Sequence, residues 1–111
     1  MNYRIRLHEL AEMELDAIYD AISAAAGPVT AGDYVGGIYD LVEGLLPFPE
    51  RGTVRQGAVP KLRIIGYRRS ASIAFAIEDD LVIILGVFRR GRNIRPEMLR
   101  QRLKSTFSGS T

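Results

Sequence analysis

Eight consecutive residues, Leu81 to Phe88 (LVIILGVF), carry no polar side chain, and they run straight into Arg89-Arg90-Gly91-Arg92-Asn93-Ile94-Arg95. A strand with one face in water alternates apolar and polar residues, and this one does not. It therefore reads as a central strand covered on both faces for most of its length. The rest of the chain must supply that cover, and must find a use for four arginines within seven residues.

The remaining elements follow from changes of period. Asn2 to Leu7 alternates, with Tyr3, Ile5 and Leu7 on one side, which predicts a half-buried strand. Leu7, Ala11, Leu15, Ile18 and Ile22 then fall on one helix face, with Glu9 and Glu12 at its favourable N-terminal end. Gly27-Pro28 stops that helix. A second helix is expected from Thr30, with Asp33 in a capping-box-like position and Val35, Ile38, Val42 and Leu45 as its apolar stripe. Gly32, Gly36, Gly37 and Gly44 are poor helix formers, so close approach of another backbone is expected there, from the first helix or a partner. Pro47-Phe48-Pro49 ends the second helix, and Glu50–Pro60 reads as loop.

Strands are predicted at Lys61–Arg68, Ser72–Glu78 and Leu81–Phe88, the last two joined by a tight Asp79-Asp80 hairpin. Ile94, Met98, Leu99 and Leu103 outline a short basic amphipathic helix opening at Pro96. The fold class is α+β: a helical hairpin packed on a largely antiparallel four-stranded sheet, order βααβββ, with that short C-terminal helix as an addition. One domain over residues 1–107 is expected, with a flexible tail at 108–111.

The chain has no cysteine, which excludes disulfides, a thiolate nucleophile and any cysteine zinc site. With no signal-like N-terminus and no apolar stretch of membrane-spanning length, a cytoplasmic protein without membrane contact is expected. Charge is unevenly spread. Residues 1–60 hold four Arg/Lys against nine Asp/Glu, net −5, and residues 61–111 hold eleven against four, net +7. Two faces of opposite sign favour docking onto a charged partner.

Individual candidates divide quickly. His8, the sole histidine, has no serine placed to complete a triad and reads as a surface residue at a helix start. Glu12, Asp16 and Asp20 share one helix face, opposite Leu15 and Ile18, and read as its solvated back rather than as a metal site. The glycines of residues 32–37 follow no strand and precede no Lys-Ser/Thr, so they do not form a phosphate cradle. Tyr19, Tyr34 and Tyr39 read as packing residues. No metal or cofactor is expected. The basic residues are the sharpest feature: Lys61, Arg63, Arg68 and Arg69 before the apolar run, and Arg89, Arg90, Arg92, Arg95, Arg100, Arg102 and Lys104 after it. Gathered by the sheet, they could neutralise phosphates or pair with carboxylates.

Several stretches resemble the RelE/ParE superfamily of bacterial toxins. These are Tyr3-Arg-Ile-Arg-Leu leading into the Ala11, Leu15, Ile18 helix; the tyrosine-bearing helix ending Leu45-Leu46-Pro47-Phe48-Pro49-Glu50-Arg51-Gly52; and the strand pair from Ile73 closing in Arg89-Arg90-Gly91-Arg92-Asn93. The resemblance spans about residues 3–104 and is closest to ParE-like toxins of type II toxin–antitoxin systems. It implies a toxin that inhibits DNA gyrase by binding and is neutralised by a cognate antitoxin. The alternative is a ribosome-dependent mRNA endoribonuclease of RelE type, but the nuclease pattern is incomplete. Ser72 stands where those members commonly place an arginine, and Arg89, flanked by Phe88 and Arg90, where they carry histidine or tyrosine. Phenylalanine cannot exchange a proton and arginine stays protonated, so neither serves as acid or base near neutral pH. Lys61 or Arg63 could assist only by stabilising charge. Catalysis by the chain itself is therefore not favoured, and direct nucleic-acid binding is secondary. The resemblance makes Arg89, Arg90, Arg92, Arg95, Arg63 and Arg68 the candidate toxic or antitoxin-contact surface, with an antitoxin groove at Tyr34 and Ile38.

Overall fold

The computed structural model describes residues 3–47, 49–50, 53–54 and 62–108. Its elements are β1 (Arg4–Leu7), α1 (Glu9–Ala26), α2 (Pro28–Glu43), β2 (Thr53–Val54), β3 (Arg63–Tyr67), β4 (Ala71–Glu78), β5 (Leu81–Arg89) and α3 (Pro96–Ser108). One sheet holds all five strands in the order β1-β5-β4-β3-β2. Only β1 and β5 run parallel; the other three pairings are antiparallel. The expected α+β class and both helical layers are present. The two-residue β2 is an addition, lying in the stretch expected as loop and pairing with the outer edge of β3.

The apolar run is interior, and seven of its residues, Val82 to Phe88, are buried. Its two faces have different covers. Val82, Ile84 and Val87 face the α1–α2 hairpin, together with Leu15, Ile18, Ile38 and Phe75. Ile83, Leu85 and Phe88 face α3, through Leu99, Met98 and Leu103. A strict two-residue period would put residues 84 and 88 on one face, and it does not. Between Ala74 and Phe75 the β4–β5 register shifts, so Ala74 pairs with Gly86 while Phe75 pairs with Ile84. The extra residue, Leu85, is a bulge that reverses the phase of the strand end.

The helical hairpin is tighter than expected. Gly27, at φ 94°, is both the C-cap of α1 and the N-cap of α2, and α2 begins at Pro28 with no side-chain cap. Proline at the first helical position needs no N–H partner and has φ already set. Thr30 and Asp33 therefore lie inside the helix, exposed, and no capping box forms there. The glycine expectation is also corrected. A Cβ at Gly32 or Gly36 would meet nothing, whereas one at Gly37 would lie 2.0 Å from Tyr67 Oη. Gly37 admits a side chain, not a backbone.

Beyond Leu7, β1 stops while β5 continues, leaving ladder groups of β5 open. His8 N–H still reaches the Ile84 carbonyl at 2.9 Å. After that an ion pair stands in for the missing strand. Glu14 Oε1 accepts from Val87 N–H at 3.1 Å, and Arg102 Nη1 donates to the Leu85 carbonyl at 2.9 Å. The two side chains are forked onto each other at 2.9 and 3.0 Å. Arg102, expected on the basic surface, is 8% exposed: it lies on the buried face of α3, with its guanidinium carbon 5.7 Å from the Phe88 ring centre.

Candidate functional site: the arginine end of the sheet

β5 ends at Arg89, which pairs with Ala71 at the start of β4. The Arg90 N–H then donates to the Ser70 carbonyl at 2.8 Å. This register sets the β3–β4 turn, with Arg68 and Arg69, beside the end of β5, with Arg89 and Arg90. Gly91, at φ 91°, lets the chain fold back, and Arg92 N–H closes onto the Arg89 carbonyl at 3.0 Å. Five arginines thus share one end of the sheet. All five are exposed, and among the described residues none of them forms an ion pair.

The other predicted site residues are elsewhere. Arg63 sits at the opposite end of β3, its side chain 17% exposed and 3.6 Å from Glu50. Arg95 lies at the start of α3, where its carbonyl accepts from Leu99 N–H. Lys61 lies outside the described residues. Ile38 is 0% exposed in the core and so offers no surface to a groove. Tyr34 is half-buried, and the space beside it is filled by the Tyr67 ring, edge-on at 5.1 Å. The open cleft near the arginines lies instead between α1, the end of β5 and the start of α3. It encloses about 400 Å³, with Ile18, Ala21, Val87 and Met98 as apolar lining and Glu14, Arg89 and Arg92 as charged lining.

Arg69, one of the basic residues noted in the sequence but not placed in the candidate contact surface, belongs to this surface. Arg68 and Arg69 have φ of 50° and 57°, and Ser70 N–H closes the turn onto the Tyr67 carbonyl at 2.9 Å. Two successive left-handed residues make a type I′ turn, which suits the twist of a hairpin but costs a non-glycine residue roughly 1–2 kcal/mol at each position. The Arg68 guanidinium carbon lies 5.0 Å from the Tyr67 ring centre and 6.0 Å from that of Tyr34. Burial raises the Tyr67 phenol above its ordinary pKa, only partly opposed by the Arg68 charge. Its hydroxyl donates to the Tyr34 carbonyl at 2.9 Å.

The chemistry available at this end is charge and hydrogen bonding. Across the β4–β5 pairing Ser72 faces Phe88 and Ala71 faces Arg89, so Ser72 and Arg89, the two positions that depart from the nuclease pattern, lie one ladder step apart. Neither exchanges a proton near neutral pH. Among the described residues no three histidine, aspartate or glutamate side chains converge in a way that could hold a metal ion, and no helix is long and apolar enough to cross a membrane.

His8 is a structural residue of a particular kind. Its Nδ1 accepts from Leu10 N–H at 3.1 Å as the N-cap of α1, and its Nε2 is 2.7 Å from Ser105 Oγ. Ser105 already donates to the Arg102 carbonyl, so it accepts from His8 Nε2–H. Only the neutral ring satisfies both bonds. Burial first, then the Arg102 charge, lowers the His8 pKa below 6.5, against opposing Glu9 and Glu14. A histidine pKa depressed in the folded state stabilises the fold above the unfolded value and loses that contribution as pH falls through the window below 6.5. Melting temperature is expected to drop between pH 7.5 and pH 5. His8→Asn, which can still cap α1, should flatten that segment of the curve; an unchanged pH slope in the variant would assign it to other groups.

A five-stranded mixed sheet with a helical hairpin on one face and clustered arginines at one end fits the arrangement that the RelE/ParE resemblance implies. Residues 5–94 match the family described as the ParE toxin of the type II toxin–antitoxin system, parDE, and the chain belongs to that family. The matched segment stops just before α3. No curated protein matches in sequence. Among solved structures, the chromosomal ParDE toxin–antitoxin system of P. aeruginosa superposes with a TM-score of 0.69 at 28% identity, covering 78% of this chain and 95% of that one. A free-state mutant of the E. coli toxin RelE gives 0.63 at 15% identity, covering 94% and 97%. The RelBE2 toxin–antitoxin complex of Mycobacterium tuberculosis gives 0.56 at 20% identity, covering 81% and 100%. The last two share the fold.

Proposed function

We propose that this toxin arrests growth by binding DNA gyrase through the arginine end of its sheet, and that its cognate antitoxin neutralises it by occupying the same end. The observation that carries the reading is the cluster itself. Arg68, Arg69, Arg89, Arg90 and Arg92 stand together without ion pairs among the described residues, and the side chains beside them, Ser72 and Phe88, offer no acid or base for cutting RNA. Single-sign charge gathered this way is unfavourable to the fold and favourable to encounter with an acidic surface. The cleft between α1 and α3 gives an antitoxin side chain an apolar seat next to that charge.

The test pairs two assays on the purified chain: gyrase supercoiling, and ribosome-dependent mRNA cleavage read by primer extension. Supercoiling is expected to be inhibited. Replacing Arg89, Arg90 and Arg92 together by Ala should weaken that inhibition about tenfold or more while the melting temperature stays close to the parent's, since exposed arginines contribute little to stability. Cleaved mRNA with untouched supercoiling would replace the gyrase reading by the endoribonuclease one.

A further inference from the structure

The β3–β4 turn puts arginine at two consecutive left-handed positions, where asparagine and glycine are the favoured residues. The turn is closed by backbone alone, through Ser70 N–H and the Tyr67 carbonyl, so the fold does not require charge there. What the structure does supply is a mount for that charge. Tyr34 Oη lies 2.6 Å from Ser70 Oγ, and Ser70 Oγ itself donates to the Tyr67 carbonyl at 3.3 Å, which makes Tyr34 the donor of the shorter bond. The Tyr67 hydroxyl returns to the Tyr34 carbonyl, and Arg68 lies over both rings. Hydrogen bonds and ring faces thus tie the turn to α2, and the missing Gly37 side chain makes room for the Tyr67 hydroxyl.

We propose that this turn is a preset carboxylate seat: Arg68 and Arg69, with Arg89 and Arg90 across the β4 start, bind an acidic peptide segment of a protein partner. The proposal rests on reading the arginine end as a protein-contact surface and names the chemistry that surface selects. Guanidinium forks match carboxylates in bidentate fashion, and a turn already held in place gives up little freedom on binding. Nucleic acid is the less favoured class. Binding single strands takes open aromatic faces for base stacking. At this end Tyr67 and Phe88 are each 7% exposed, and Tyr34 lies half-buried beneath Arg68.

The experiment measures fluorescence anisotropy of labelled deca-glutamate, and of an oligothymidylate of equal charge, against the purified full chain at two salt concentrations. Deca-glutamate is expected to bind more tightly than the oligonucleotide. Arg68→Asn combined with Arg69→Gly installs the preferred type I′ pair, so the chain should melt at a higher temperature while binding the peptide about tenfold or more weakly. Tyr34→Phe keeps every arginine but frees the turn, and should weaken binding about threefold. Arg100→Asn, on the exposed side of α3, should leave binding unchanged. Peptide affinity within twofold of the parent in the Asn-Gly variant would overturn the seat, as would tighter binding of the oligothymidylate. Gyrase does not enter the readout, so a chain that binds the peptide this way but leaves supercoiling untouched keeps the seat and loses only the target.

Discussion

Glu14→Ala is expected to lower stability by about 3 kcal/mol, an outsized effect for a polar residue on a helix. The substitution leaves the Arg102 guanidinium, 8% exposed, without its carboxylate, and leaves the Val87 N–H without its acceptor. The Glu14 side chain is 25% exposed, so water can partly replace the lost bonds and the effect falls at the low end for a broken buried pair. In a domain of this size it corresponds to a fall in melting temperature of roughly 10–20 °C. Arg102 already carries one buried Nε–H with no partner, so the site has no slack. The decisive comparison is a double-mutant cycle by thermal melting. Glu14→Leu with Arg102→Met removes both charges and should lose less than the two single changes together, because an apolar pair avoids desolvating ions although Val87 N–H and the Leu85 carbonyl stay unpaired. Simple addition of the two single effects would mean that the pair is not coupled and that this account of the β5 edge is wrong.

Gly37→Ala is expected to cost about 2–3 kcal/mol, although alanine is the better helix former. The new Cβ would lie 2.0 Å from Tyr67 Oη and 3.0 Å from its Cζ, so the ring must leave its hydrogen bond to Tyr34 and its edge-on packing. One position earlier the sign reverses. A Cβ at Gly36 meets nothing within 4 Å, and Gly36→Ala should stabilise by about 0.5–1 kcal/mol through helix propensity alone. Paired thermal melts of these neighbours check both statements. A Gly37→Ala protein as stable as Gly36→Ala would show that Tyr67 yields freely, and the mount for the Arg68 turn would lose its rigidity with it.

Much of the fold is legible in the sequence alone. The alternation from Asn2 to Leu7, the helical spacing of Ala11, Leu15 and Ile18, and the polar Asp79-Asp80 break each named an element, because side-chain period is a local property of backbone geometry. The helix ends were less legible. Thr30 and Asp33 have the right chemistry for a cap, but Pro28 is already fit to open the helix, and Gly27 closes one helix while starting the next. Arg102 and Glu14 left a signal that charge counting hides. Arg102 follows Leu99 by three and precedes Leu103 by one, and Glu14 sits three after Ala11 and four before Ile18, so both lie on buried stripes. Opposite charges on two apolar faces are each untenable alone.

By itself the sequence determined that a strand at residues 81–88 needs two covers, that the C-terminal half is basic, and that the wording at Arg89–Asn93 resembles a toxin superfamily. The tertiary structure decided which arginines act together. It sets Arg68 and Arg69 beside Arg89 and Arg90, carries Arg63 to the far end of β3, and buries Arg102 against Glu14. It also decided the phase of the strand end, through a bulge that a uniformly apolar run cannot reveal, since every residue there suits either face. The division has one physical cause. A residue's own preference for water or core is written in its side chain, but the partner that satisfies a charge is chosen by strand register and helix docking, across dozens of residues of chain.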